Sequence, residues 1–242
     1  MASNQGSLNH VDAVRLQSWY ATPQGRTTAE VIGQALTPWL EGAPVVRTLG
    51  FGFPQPYMDL MGGWSGQLLG AAPAEMGVAR WPSEGLNRFA LVRPDALPFD
   101  SCLFDRVLMI HLLERVEALK ATLRESWRVL KPGGRLMVVV PNRGGWWARR
   151  DSTPFGWGRS FSPWQLREML QDSFFIPRQS RYALFTPPFT GRWLWESSAA
   201  WEKAGDRWFP LVGGVILCDA EKVVCATIPA ASGVMAWSRA WG

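Results

Sequence analysis

Leu130-Lys131-Pro132-Gly133-Gly134-Arg135-Leu136, continued by Met137-Val138-Val139-Val140-Pro141-Asn142, joins the end of a charged helix to a Pro-Gly-Gly turn and a continuous β-branched run. A run of this kind, without polar alternation, reads as a strand buried on both faces of a parallel sheet. Just before it, Leu119, Leu123, Trp127 and Leu130 recur at helical spacing, while Arg124, Glu125 and Arg128 fall on other faces. That pattern predicts an amphipathic helix lying against the sheet.

Working outward, the same alternation of elements continues. Val45 to Leu49 predicts a strand running into a Gly-x-Gly turn at Gly50 and Gly52, with a helix over Tyr57 to Met61 after it. Further strands are expected at Gln67 to Ala71, Phe89 to Val92, Asp105 to Ile110 and Arg135 to Val140. Towards the N-terminus, one helix covers Val11 to Tyr20 and ends near Pro23-Gly25. A second opens on the capping-box spacing of Thr27-Thr28-Ala29-Glu30, carries Val31, Ile32, Ala35, Leu36, Trp39 and Leu40 on one face, and stops at Gly42. Ser162-Pro163-Trp164-Gln165 combines a serine cap, a proline at the first helical position and a glutamine at the capping-box position. Val215 to Cys218 and Val223 to Ala226, separated by Asp219 to Lys222, have hairpin spacing. Strands alternating with helices and closed by a hairpin indicate an α/β, Rossmann-like doubly wound sheet with an antiparallel edge strand. The expected organisation is N-terminal helices packing on the core over 1–42, a cofactor half over 43–140, a lid loop, helices and closing hairpin over 141–228, and a tail over 229–242.

Composition limits the function classes. A length of 242 residues suits one α/β domain with elaborations, and 47% apolar content allows a sizeable core. Three cysteines without metal spacing and only two histidines, His10 and His111, argue against a disulfide framework and a metal centre, and suggest a reducing cytoplasm. No targeting segment is visible, and the longest apolar run, Leu211 to Cys218, is too short to span a bilayer. A net charge of +5 is compatible with an anionic ligand or nucleic acid. Fifteen tryptophans, some paired as at Trp146-Trp147, Trp193/Trp195 and Trp237/Trp241, mean either packing of helices and loops or an aromatic surface for a flat ligand or a protein partner.

Asp95-Ala96-Leu97-Pro98-Phe99, Phe104-Asp105-Arg106-Val107, His111-Leu112-Leu113-Glu114 and Arg128-Val129-Leu130-Lys131-Pro132-Gly133-Gly134 together resemble the class I S-adenosylmethionine-dependent methyltransferases, and most closely their small type 11 members. The resemblance is clear over about Val45 to Val140 and weaker beyond. It implies a seven-stranded sheet with the last strand antiparallel, and S-adenosylmethionine bound over the C-terminal ends of the first strands. By resemblance, Gly50 and Gly52 match the first two glycines of the cofactor loop, and Asp95 (or Arg93, if the loop is not shortened) matches the contact to the adenine amino group. Glu75 is the nearest substitute for the acid that holds the ribose hydroxyls. The chain departs from the family at Thr48, which stands where an acid precedes the glycines, at Pro54 in the third glycine position, and at Ala71 in the ribose-acid position. These losses put cofactor binding itself in question.

His111, with Glu114, falls just past the fourth strand, where this fold meets its acceptor, and is the candidate general base. The alternative is that both side chains cap or pack the following helix. No Asn-Pro-Pro-aromatic motif follows that strand, which argues against amino-group methylation of DNA bases or glutamine. A cysteine nucleophile is also missing near the sheet mouth, against the cysteine-dependent RNA cytosine enzymes. Arg143, Trp147, Arg150 and Arg159 lie in the Gly-, Arg- and Trp-rich stretch after the fifth strand, which reads as a lid over the site. They are candidate substrate contacts, since arginine offers bidentate donors and tryptophan a stacking face. Internal Arg–Asp pairing, with Asp151 as one partner, is the other reading. The chain is thus expected to be a cytoplasmic methyltransferase acting on a small or acidic acceptor. The alternatives are a non-catalytic member of the fold that binds a protein partner, and, with less support, an RNA methyltransferase.

Overall fold

The structure, a computed structural model, describes residues 13–40, 46–60, 68–78, 80–82, 84–188 and 198–224. Its sheet contains β1 (Thr48–Gly52), β2 (Leu68–Pro73), β3 (Phe89–Val92), β4 (Phe104–Ile110), β5 (Leu130–Pro141), β6 (Phe175–Ala183) and β7 (Val215–Lys222). The strand order is β3-β2-β1-β4-β5-β7-β6. β1 to β5 pair in parallel, and β7 is antiparallel to both β5 and β6. This is the class I methyltransferase topology, with chain reversals at β1 that open a crevice at the strand ends. No described helix is long and apolar enough to cross a membrane.

Side chains alternate across the sheet to form two apolar layers. On one face Val107, Met109, Leu136 and Val138 meet Leu123 of α4 (Leu119–Val129) and Leu166 and Leu170 of α5 (Pro163–Gln171). On the other, Leu108, Ile110, Met137 and Val139 meet Leu16 of α1 (Ala13–Tyr20) and Ile32, Leu36 and Trp39 of α2 (Pro23–Leu40). Both faces of β4 and β5 are therefore covered, which is why their sequences lack polar alternation. The start of α5 has the expected reciprocal cap: Ser162 accepts from the Gln165 backbone, and Gln165 accepts from the Ser162 backbone.

Several boundaries differ from the sequence expectation. The Pro-Gly-Gly turn is an irregular stretch inside β5, which already pairs at Leu130 with Phe104. Gly133 there has φ +71°, and a Cβ on Gly134 would come within 2.8 Å of the Lys131 carbonyl. Gly50 lies within β1 rather than in a turn. α2 begins at Pro23, not at Thr27: Thr22 caps it by accepting from the Gly25 amide at 3.0 Å. The hairpin is absent, because β7 runs straight through Asp219 to Lys222 and Val223 and Val224 follow it outside any strand. Its true partner, β6, was not expected. That strand is polar and carries Pro177, as an edge strand does. Val11, Gly42, Val45, Met61, Gln67, Trp193, Trp195, Cys225, Ala226 and the 229–242 tail lie outside the described residues.

The end of α2 is tied to the sheet by a polar cluster. Asp219 on β7, 6% exposed, accepts from the Trp39 indole at 3.0 Å and from Arg135 Nε at 3.1 Å. Beside it, Arg106 donates to the Leu40 carbonyl at 2.9 Å. Asp219→Ala would leave two donor side chains, Trp39 and Arg135, without their partner in a largely buried seam. We expect a loss of about 1–3 kcal/mol in urea unfolding, allowing for the partial exposure of Arg135.

Candidate functional site

The crevice over β1 is closed by the chain that leaves it. A Cβ built on Gly50 would lie 2.6 Å from Pro54 Cγ, so the proline ring rests directly on the strand. The Phe53 amide donates to the Ile110 carbonyl at 2.8 Å, and Pro54 has no N–H. Further along, the Tyr57 and Met58 amides are drawn into α3 (Gln55–Leu60) and donate to the Pro54 carbonyl. Phe53, Pro54 and Tyr57 are all buried. The amides at Phe53, Tyr57 and Met58 therefore have internal partners and do not point at a ligand.

A buried polar chain fills the space beside this plug. Tyr57 and Tyr20 hydroxyls lie 2.6 Å apart, Tyr20 Oη is 2.7 Å from His111 Nε2, and His111 Nδ1 is 3.0 Å from Glu114 Oε1. With Glu114 ionised, one assignment satisfies every link. Tyr57 donates to Tyr20, Tyr20 donates to Nε2, and the Nδ1–H of a neutral imidazole donates to the carboxylate. Burial pushes the His111 pKa down, and it pushes both tyrosines up. His111 is 1% exposed, and Phe155 from the segment after β5 covers it with ring centroids 5.0 Å apart. The candidate base thus sits in the core, in contact with a tyrosine rather than with solvent.

Beside this, at the C-terminal ends of β2 and β3, lies a cavity of about 560 Å³. Its wall includes Glu75, Arg93, Asp95, Glu114, Arg115 and Trp157, while Gly50 and Gly52 take no part in it. Glu75 and Asp95 are therefore brought together, but not with the glycines. Asp95 pairs with Arg93 at 3.0 Å, and that guanidinium holds its carboxyl below the usual range. Burial lowers the Arg115 pKa; its Nε and Nη2, like Glu114 Oε2, have no hydrogen-bond partner within the protein. Ala71 is buried within β2, and so is Thr48 in β1.

The segment after β5 is folded down rather than open. Asn142 donates to the Leu211 and Gly213 carbonyls at 2.9 and 2.7 Å, and the Arg159 amide donates to the Glu114 carbonyl at 2.9 Å. Trp147 is 1% exposed and its indole donates to the Thr186 carbonyl at 2.9 Å, so it serves as a core anchor and offers no stacking face. Arg143 is exposed and donates to the Ser160 carbonyl; Arg150 and Arg159 are also exposed. Asp151 enters through its backbone carbonyl, which accepts from the Trp157 indole. Arg15 of α1 stacks on Trp157 at 3.9 Å. Sequence reading missed Tyr20, Tyr57, Arg115 and Trp157. Only the Phe-Pro-x-Pro-Tyr run after Gly52 signals an unusual loop.

Residues 50–138 match the methyltransferase domain family, type 11. An uncharacterised protein of Mycobacterium tuberculosis is 28% identical over 209 residues, covering 80% of this chain and 69% of that protein. Among solved structures, an S-adenosylmethionine-dependent methyltransferase of Thermotoga maritima superposes with TM-score 0.59 at 17% identity, over 85% of this chain and 93% of that one. A second, from Aquifex aeolicus, gives 0.58 at 15% identity, over 88% and 99%.

The buried chain sets a pH window. His111 is lowered from an ordinary 6.5, so as pH falls the unfolded chain takes up this proton first. Its contribution to stability is complete above about 6.5 and is lost on acidification. Tyr20 and Tyr57 are raised from 10.0, so theirs is complete below about 10 and is lost as pH rises further. Urea midpoints measured across pH should show a plateau between these limits, and His111→Gln should flatten the fall just below pH 6.5.

Proposed function

For this chain, a protein of the class I methyltransferase fold whose residues 50–138 match the methyltransferase domain family, we propose a non-catalytic binding role. It takes a nucleoside-bearing small molecule into the cavity walled by Glu75 and Asp95, and it does not hold S-adenosylmethionine by its amino-acid end. The contact of Pro54 with Gly50 carries this reading. The residues present do not fit the complete cofactor: its methionine portion would need the space of Phe53, Pro54 and Tyr57, and amides that are bonded elsewhere.

What supports a nucleoside is the remaining half of the crevice. The cavity volume lies within the range of small-molecule sites. Carboxylates at the ends of β2 and β3 suit ribose hydroxyls and an exocyclic amine, and Trp157 adds an aromatic wall. Methyl transfer to a small or acidic acceptor is the second reading, favoured by these same two carboxylates. It requires residues 53–57 and Tyr20 to leave the crevice, which breaks the Tyr57–Tyr20–His111 chain.

Titration calorimetry with adenosine, S-adenosylhomocysteine and S-adenosylmethionine tests the choice. Adenosine should bind at least as tightly as either amino-acid-bearing ligand, and Glu75→Ala should weaken it about ten- to a hundredfold. S-adenosylmethionine or S-adenosylhomocysteine binding much more tightly than adenosine would establish the second reading instead. Silence from all three ligands would exclude both.

A further inference from the structure

We propose that the end of α6 (Ser198–Trp208) and the turn after it dock on an anionic phospholipid surface. Trp208, Phe209 and Leu211 are 70%, 65% and 65% exposed, and Val212 continues the same apolar turn. The segment after β5 runs against this turn: Asn142 donates to the Leu211 carbonyl, a Cβ on Gly145 would meet the Gly213 carbonyl at 2.6 Å, and the next residue, Trp146, is exposed. None of these side chains lines the cavity at β2 and β3 or the open concavity at the start of α4. They are exposed apolar side chains on consecutive turns of the chain, and the water they order is released only when something covers them.

The turn is held in place from below. Glu202 on α6 turns inward and accepts from the amides of Leu184, Phe185 and Thr186 at 3.0, 2.8 and 3.3 Å. A Cβ on Gly205 would meet the Phe185 ring at 2.2 Å, so the helix lies tightly against that segment. Inward docking of Glu202 removes its negative charge from the outer surface. Outside remain Lys203 and Arg207 on α6 and Arg149 and Arg150 on the segment after β5, against Asp206 and Asp151. Arg207 also lies over the Trp208 ring at 6.0 Å.

Charge complementarity selects the occupant. Tryptophan, phenylalanine and leucine flanked by arginine and lysine are the composition of segments that sit at the bilayer interface, the rings at headgroup depth and the cations on anionic lipid. A protein partner would favour a flatter patch with its aromatic anchors seated in pockets.

The full chain should be sedimented with sucrose-loaded vesicles of phosphatidylcholine alone, and of phosphatidylcholine with about a third phosphatidylglycerol. Binding is expected on the anionic vesicles, several-fold weaker on the neutral ones, and reduced by raised salt. The double variant W208S/F209S should lose about tenfold or more in binding while its circular dichroism and thermal midpoint stay unchanged, since both side chains are exposed. Arg149→Gln with Arg207→Gln should reduce the preference for anionic lipid by an independent route. The proposal is overturned by any of three results: no binding to either vesicle, equal binding to both, or full binding by W208S/F209S. A dimer seen by light scattering and abolished in W208S/F209S, without vesicle binding, would assign the surface to self-association instead.

Discussion

The ring of Pro54 on Gly50, together with the Phe53 amide bonded to Ile110, closes the crevice between β1 and β4, and much of the site depends on that closure. In an open α/β sheet the end of β1 beside β4 is where a ligand meets backbone amides, because the strands on either side are connected in opposite directions. Here the amides of Phe53, Tyr57 and Met58 bond to neighbouring protein. Once the proline ring covers the strand, the ring of Phe53 and Tyr57 must be buried as well. Tyr57 then needs a polar partner for its hydroxyl, and Tyr20, His111 and Glu114 follow in turn. Substituting Pro54 alone would not reopen the site, since the hydrogen-bonded aromatic chain would still occupy it.

Much of the fold was legible because its parallel strands are buried on both faces. Val138, Val139 and Val140 have no reason to be consecutive unless helices cover each side, and α4 announces its inward face by Leu119 and Leu123. β6 was hidden for the opposite reason: an edge strand with Arg178, Gln179 and Arg181 towards solvent has no periodic apolar signal. With no such signal in β6, the sequence pattern offers only Val223 to Ala226 as a partner for β7. At α2 the Thr-Pro pair is a true helix start, but the glycine at Gly25 was read as a break. Glycine is needed there because the helix packs within reach of the Trp19 carbonyl.

The site was legible only as a set of departures. Thr48, Pro54 and Ala71 mark where the chain departs from the family pattern, and Glu75, the substitute for the ribose acid, shares one cavity with Asp95, the match for the adenine contact. What no pattern could show is which groups would occupy the vacated volume. Tyr20 and Tyr57 are 37 positions apart and become neighbours only when α1 lies over the sheet. Trp147 looked like an open stacking surface because adjacent tryptophans in an arginine-rich stretch give no indication of which turns inward. Trp147 points into the core and Trp146 remains outside, a division set by the Thr186 carbonyl that the buried indole reaches.

That carbonyl belongs to a segment shared by two surface elements. Residues 184–186 receive the Trp147 indole from the segment after β5 and supply amides to Glu202 from α6, so that segment and the exposed apolar turn stand on the same few peptide units. The segment after β5 is also coupled to α1, through Arg15 on Trp157 and through Trp19 against Trp147 and Phe155. Tyr20, one residue on from Trp19, joins Tyr57 to His111 within the polar chain that fills the crevice. The turn after α6, the segment after β5, α1 and the plug over β1 are thus joined by packed rings and hydrogen bonds. Phe155 covers His111, and parting His111 from Tyr20 in this buried place would leave Nε2 without a partner.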